Sequence, residues 1–186
     1  MTLILMRRAS QLRMPASLES FQAIAAAHAD ALFVSGCSRC YQQDLVLAAE
    51  CGLETYEWPE EYYDPELIFG ARKADWLLDE HAGLDNSDSL AVIYHKFAAR
   101  LQAMLESGKN RTMVLYFDQL MLELVVACLS GQGVALLKSF SLYLDEHALA
   151  IFGRICFGVG FQWVLLQSNI RAADAFYTRP ELRLVT

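Results

Sequence analysis

The sequence has little positive charge: 15 Lys and Arg residues face 22 Asp and Glu residues in 186, a formal net charge of −7. Nucleic-acid binding needs a positive surface, so we do not expect a nucleic-acid partner. Proline and glycine are also sparse, at 4 and 10 residues, while 55% of the chain is hydrophobic. This composition excludes collagen-like and disordered chains. The length favours a single domain, 1–186, with an N-terminal segment at 1–15.

Long uninterrupted apolar runs are also missing. The stretch from Ala148 to Leu166 contains Arg154 and Gln162, and an arginine near the middle of a membrane span is costly. At the amino end, apolar residues precede Arg7 and Arg8, which is the reverse of the order in a secretory signal. We therefore expect no membrane span and a cytoplasmic location.

Short apolar runs alternate with helical patterns along the chain. The clearest helical periodicity covers Ser89 to Ser107, within a helical insertion predicted at 66–108. Buried strands separated by helices predict an α/β fold in three layers, with a mostly parallel sheet of about five strands flanked by helices. An all-α fold is the alternative, because periodicity cannot distinguish a short buried strand from a buried helix. The strand predictions are Ala31–Val34, Glu54–Trp58, Thr112–Phe117, Val134–Leu137 and Trp163–Leu166.

The loop after the first of these strands is the best-placed candidate for anion binding, because ligands of parallel sheets bind at the carboxyl ends of strands. With Asp118 at the end of a later apolar strand, the order and spacing of residues 31–169 resemble RecA-like and AAA+ P-loop ATPases. That resemblance implies a nucleotide-loop role for a set of six residues: Ser35, Gly36, Cys37, Ser38, Arg39 and Asp118. Leu142 to Glu146, with the acids Asp145 and Glu146, offers an alternative register for the acidic strand.

The loop departs from the P-loop motif in one decisive respect: it contains no lysine and no Lys-Ser/Thr pair. Without these groups the γ-phosphate has little to stabilise its developing charge. The resemblance therefore implies a non-catalytic adaptor or regulatory subunit that acts by binding proteins, with a homo-oligomer as an alternative assembly. We predict no catalytic residue, no metal site and no cofactor for it.

Two further readings stay open. The pair Cys37 and Cys40 forms a CxxC at a predicted helix start, where the helix end lowers a thiol pKa, and this favours a thiol-disulfide oxidoreductase. The region 54–66 instead holds six carboxylates and four aromatic residues, which suits a small acidic inhibitor or immunity-type protein docking on a basic partner. The candidate docking residues are Tyr56, Glu57, Trp58, Glu60, Glu61, Tyr62 and Tyr63.

Overall fold

The computed structural model describes residues 1–8, 18–35, 41–59, 79, 81, 88–108, 111–139, 144–145, 148–157 and 160–171. Within them lie six strands and five helices. The strands are β1 (Thr2–Arg7), β2 (Ala31–Ser35), β3 (Thr55–Trp58), β4 (Thr112–Phe117), β5 (Ala148–Phe157) and β6 (Gly160–Arg171). The helices are α1 (Leu18–Ala26), α2 (Tyr41–Glu50), α3 (Leu90–Ser107), α4 (Gln119–Ser130) and α5 (Ala135–Ser139).

All six strands form one sheet in the order β3-β2-β4-β1-β5-β6. The first four in this order are mutually parallel, whereas β5 and β6 are antiparallel additions at one side. We call the edge formed by the C-terminal ends of β1, β2, β3 and β4 the carboxyl edge. The register pairs Arg7 with Phe117, so β1 and β4 reach this edge together.

Helices cover both faces of the sheet. Alternate residues of β1 enter different cores: Leu3 and Leu5 pack with α3 and α4, while Ile4 and Met6 pack with α1 and α2. The two-residue period of a strand produces this division, because successive side chains point to opposite faces. The prediction of a three-layer α/β fold is confirmed, with six strands rather than about five, and the all-α alternative is wrong.

Three local predictions were wrong. The apolar amino end forms the central strand β1, whereas the sequence analysis assigned it only to an N-terminal segment. The run from Val134 to Leu137 lies largely in helix α5 rather than in a strand, and strand β5 is absent from the predicted strands. In each case a short apolar run had no periodicity that separates strand from helix. That 66–108 is an insertion stays a prediction, since most of 66–87 lies outside the described residues.

Helix α3 runs back from the end of β3 towards the start of β4, as expected of a helix that connects parallel strands. Its end lies near the start of β4, where a Cβ on Gly108 would come within 2.6 Å of the Met113 sulfur. Nearer its start, Phe97 contacts Trp58 at 5.1 Å between ring centroids, and Trp58 also contacts Phe117 at 5.3 Å. Because Trp58 and Phe117 end their strands, the part of α3 around Phe97 packs at the carboxyl edge.

We expect Phe97→Ala to destabilise the protein by about 3–5 kcal/mol, the cost of emptying a fully buried aromatic site. Val92→Ala, on the exposed side of the same helix, should change stability by less than about 0.5 kcal/mol. Urea unfolding followed by circular dichroism measures both. Equal losses for the two variants would contradict the packing of α3 against Trp58.

Candidate anion site at the carboxyl edge

Two arginines end the central strand. Arg7 donates from Nη1 to the backbone carbonyl of Leu144, which fixes its guanidinium beside the segment that leads into β5. Arg8 follows directly, and its backbone N–H donates to the Phe117 carbonyl at 2.8 Å. The chain therefore holds Arg8 against the end of β4, where helix α4 begins.

The side chain of Arg8 is buried, with 5% of its surface exposed. Its Nη1 has no hydrogen-bond partner among the described residues. A buried guanidinium donor without an acceptor is costly, because desolvation is then not compensated. A bound anion would supply the acceptor, so Arg8 marks the carboxyl edge as a candidate anion site.

Asp118 ends β4 and begins α4. Its Oδ1 accepts the N–H of Met121 at 3.0 Å, and its carbonyl accepts that of Leu122 at 3.1 Å. Asp118 is thus an N-cap residue, and its negative charge lies where the helix dipole favours it. With only 5% exposure, this carboxylate is a fixed, buried part of the edge.

Two further polar side chains, those of Ser35 and Asp44, are buried close to the same edge. Ser35 ends β2 with 1% exposure. Asp44 is fully buried in the first turn of α2, the helix that follows β2. Buried polar groups concentrated at the C-terminal ends of parallel strands are typical of ligand sites in α/β folds.

Trp58 ends β3 in an aromatic cluster with Phe33, Phe97 and Phe117. Its ring is 3% exposed, so it belongs to the core, and its prediction as a docking residue was wrong. Tyr56 and Glu57 are exposed, whereas Trp58 is covered by the rings of Phe97 and Phe117. Tyr56 and Glu57 remain available to a partner.

One more carboxylate is held by an ion pair just before α3. Asp88 lies just before the Ser89 N-cap, and its Oδ2 forms an ion pair with Lys96 Nζ at 2.6 Å. Its side chain is 33% exposed, far more than that of Asp118. Asp88 is therefore a carboxylate that solvent can reach, and neither it nor Arg8 was predicted as a site residue. Arg8 was missed because β1 had not been assigned to the carboxyl edge, and Asp88 because no motif marks it.

Two of the residues predicted for the nucleotide loop, Ser35 and Asp118, lie at the carboxyl edge. They follow or end neighbouring strands, because β2 pairs with β4. The remaining four, and Cys40 of the redox pair, lie outside the described residues. Glu60, Glu61, Tyr62 and Tyr63 of the docking segment also lie outside them.

Two described cysteines, Cys51 and Cys128, are free thiols, and burial raises the pKa of Cys128 to about 11.

In the described part of the chain, no helix is both long and apolar enough to cross a membrane.

No protein-family model matches the sequence, and no curated protein is significantly similar to it. Solved structures do match its fold, and they are phosphoglycerate mutase-like proteins of the histidine phosphatase type. The chain therefore has the fold of these phosphatases.

Three of these structures illustrate the likeness. A candidate alpha-ribazole-5'-P phosphatase from Escherichia coli is 16% identical, with a TM-score of 0.63 and coverage of 92% of this chain and 98% of the other. The mycobacterial glucosyl-3-phosphoglycerate phosphatase bound to inorganic phosphate is 18% identical, with a TM-score of 0.60 and coverage of 92% and 98%. A mutant phosphoserine phosphatase from Entamoeba histolytica bound to phosphoserine is 17% identical, with a TM-score of 0.58 and coverage of 90% and 96%.

These findings overturn two predictions. The resemblance to P-loop ATPases was wrong, because the sheet is built around β1 and matches phosphatase structures. The non-catalytic adaptor inferred from a degenerate P-loop was wrong for the same reason, since the lysine missing from residues 35–40 belongs to a motif that this fold does not use.

We expect Asp118→Ala to lower the free energy of unfolding by about 1 kcal/mol through loss of the α4 cap, whereas Asp118→Asn, an equally good cap, should cost much less. Urea unfolding measures both. Ser89→Ala is the control, because Ser89 caps α3 through a longer 3.4 Å bond and should cost no more than Asp118→Ala. If Asp118→Asn proved as damaging as Asp118→Ala, the capping role would be wrong.

Proposed function

We propose that this protein is a phosphatase that binds a phosphate monoester at its carboxyl edge. The observation that carries the proposal is Arg8, a buried cation whose Nη1 lacks an acceptor among the described residues. The fold supports it, since solved proteins with this fold include phosphatases bound to inorganic phosphate and to phosphoserine.

Phosphoryl transfer depends on positioning and on neutralising charge on the non-bridging oxygens. Arg8 suits this role because a guanidinium presents a rigid fork of donors that matches phosphate geometry. Arg7, held by its bond to Leu144, supplies a second positive charge at the end of the same strand. The buried carboxylates of Asp118 and Asp44 would balance part of this charge, which would allow Arg8 to be buried before the substrate arrives.

In hydrolysis a water oxygen forms a bond to phosphorus while the bond to the alcohol breaks, and the leaving alcohol oxygen must receive a proton. We infer that Asp88, just before α3, supplies this proton rather than Asp118, just before α4. It is partly exposed, so a substrate can reach it, whereas Asp118 is buried and caps α4. The Lys96 ammonium orients the Asp88 carboxylate at 2.6 Å, and Asp88 would take up a proton from solvent before it passes one to the leaving oxygen.

A second candidate function is retention of a phosphate ester without hydrolysis. The observation that favours it is the absence of histidine at the described ends of the four parallel strands. The residues there are Arg7, Arg8, Ser35, Trp58 and Asp118. The neighbouring structures belong to a class named for that residue. An ester that contacts an arginine, where cleavage would need a nucleophilic side chain, would be bound but not cleaved.

We further propose a cytoplasmic location. The free thiols of Cys51 and Cys128 suit a reducing compartment. Association with a protein partner or a second copy stays a prediction from the acidic, aromatic composition.

We expect Arg8→Gln to weaken binding of inorganic phosphate by about 10- to 100-fold, since a charge-assisted hydrogen bond contributes about 1.5–3 kcal/mol. Arg8→Lys should retain part of the affinity because it keeps the charge. Isothermal titration calorimetry measures the dissociation constants, and thermal unfolding checks that each variant is folded. Arg100→Gln, an equal charge change at an exposed position of α3, is the matched control. Equal affinity of Arg8→Gln and wild type would refute the site.

We expect Asp88→Asn to lower kcat by about 100-fold on an alkyl phosphate such as glycerol 2-phosphate, but far less on p-nitrophenyl phosphate. Nitrophenolate leaves readily without a proton, so only the alkyl ester needs the acid. Steady-state phosphate release measures both rates, with Glu50→Gln at the exposed end of α2 as control. Equal losses on the two substrates would exclude Asp88 as the acid. A wild-type protein that binds phosphate and cleaves neither ester would establish the second candidate.

A further inference from the structure

The side chain of Trp58 carries a polar atom that the proposed reaction does not use. Trp58 ends β3 at the carboxyl edge, and 3% of its surface is exposed. Its indole Nε1 is buried and has no hydrogen-bond partner among the described residues. An indole N–H can only donate, and a buried donor without an acceptor opposes folding, so this atom requires an explanation.

The rings that surround Trp58 do not supply the missing acceptor. Its ring centroid lies 5.1 Å from that of Phe97, 5.3 Å from that of Phe117 and 6.3 Å from that of Phe33. A phenylalanine side chain has no oxygen or nitrogen. An N–H can point at the face of an aromatic ring, but that contact is weaker than a hydrogen bond to oxygen. Packing of the aromatic cluster therefore explains the rings of Trp58 and leaves its N–H unexplained.

Phe117 connects Trp58 to the candidate anion site. Its ring contacts the indole of Trp58, and its backbone carbonyl accepts the N–H of Arg8 at 2.8 Å. In the sheet, β2 and β4 lie between β3 and β1, which separates the backbones of these outer two strands by about 14 Å at the usual strand spacing. Arg8 and Trp58 both have long side chains, which bring the gap between them within the length of a small phosphate ester.

We propose that Trp58 is a specificity-determining residue of the phosphate site, whose indole N–H donates to an uncharged oxygen in the alcohol part of the ester. The inference rests on the proposed phosphate site at Arg8. In this arrangement Arg8 binds the phosphate group, and Trp58 binds a hydroxyl group of the alcohol. The substrates are then phosphate monoesters of alcohols that carry at least one further hydroxyl group.

The surroundings of Trp58 favour a hydroxyl group over a carboxylate as its ligand. One neutral N–H beside the rings of Phe97 and Phe117 compensates little of the cost of burying a negative charge. A hydroxyl oxygen needs less compensation, and its carbon skeleton can pack against the same rings. An ester without a hydroxyl group would leave the buried N–H unpaired, so the site should discriminate against it.

Two esters with the same carbon skeleton test this inference. Glycerol 2-phosphate carries two hydroxyl groups, and isopropyl phosphate carries none. We expect the wild-type protein to bind glycerol 2-phosphate about 5- to 10-fold more tightly than isopropyl phosphate, as for one hydrogen bond. Isothermal titration calorimetry measures both dissociation constants. If the protein cleaves the esters, the ratio of their kcat/KM values makes the same comparison.

Two variants remove the N–H of Trp58. Trp58→Phe should lose the preference for glycerol 2-phosphate and still bind inorganic phosphate with wild-type affinity. Because the smaller ring can loosen the core, a second variant carries 3-benzothienylalanine at position 58, which keeps two fused rings but has no N–H. It should also lose the preference. Thermal unfolding checks that each variant is folded.

Trp163→Phe is the matched control. Trp163 lies on β6 opposite Arg154, whose backbone N–H donates to the carbonyl of Met1, so Trp163 is level with the start of β1 and not with the carboxyl edge. This variant loses the same N–H and the same ring size as Trp58→Phe. It should keep the wild-type preference for glycerol 2-phosphate.

Three results would overturn the inference. A wild-type protein that binds the two esters equally would show that no donor recognises the alcohol. Wild-type preference in either Trp58 variant would show that the N–H serves the core or a buried water. Equal losses on inorganic phosphate and both esters would show altered packing instead of a lost donor. Failure of the wild-type protein to bind inorganic phosphate would instead refute the underlying phosphate site, so the two failures are distinguishable.

Discussion

The pairing of β1 with β4 on one side and β5 on the other is the constraint on which the rest of the structure depends. This strand is buried on both faces and joins the parallel half of the sheet to its antiparallel half. Because Thr2 pairs with Thr112, the strand ends level with β4 and delivers Arg7 and Arg8 to the carboxyl edge. A shift of one residue would exchange the two cores that Leu3 and Ile4 occupy, so packing fixes this register.

Charge burial at the carboxyl edge contrasts with the apolar interior elsewhere. Arg8, Asp44 and Asp118 are each at least 95% buried, and they lie near the ends of the parallel strands or in the first turn of the helix that follows. Burying such groups opposes folding, and helix capping and hydrogen bonds offset only part of that cost. Local departures of this kind from the best-packed arrangement are typical of sites that bind ligands. The edge therefore has the physical character of a binding site independently of any comparison.

Much of the fold could be predicted from the sequence, whereas most of the site could not. The branched and aromatic run Thr112–Phe117 and the periodic helix ending at Ser107 were predicted almost to the residue, because each carries a strong local pattern. The strands β1 and β5 were missed because a short apolar run is compatible with several structures. Ser35 and Asp118 were found from their positions after strands. Arg8 and Asp88 were not, because neither carries a motif and each acquires its role from the element beside it.

The sequence by itself determined the layered α/β class, since strands buried on both faces must be covered by helices on two sides. It also determined the caps of α3 and α4, because Ser89 and Asp118 act on N–H groups three residues away. Only the tertiary structure decided that Arg8 and Asp118 meet at one edge, although more than a hundred residues separate them. Their proximity follows from backbone hydrogen bonds between strands, and such long-range pairing leaves no trace in the local pattern of either segment.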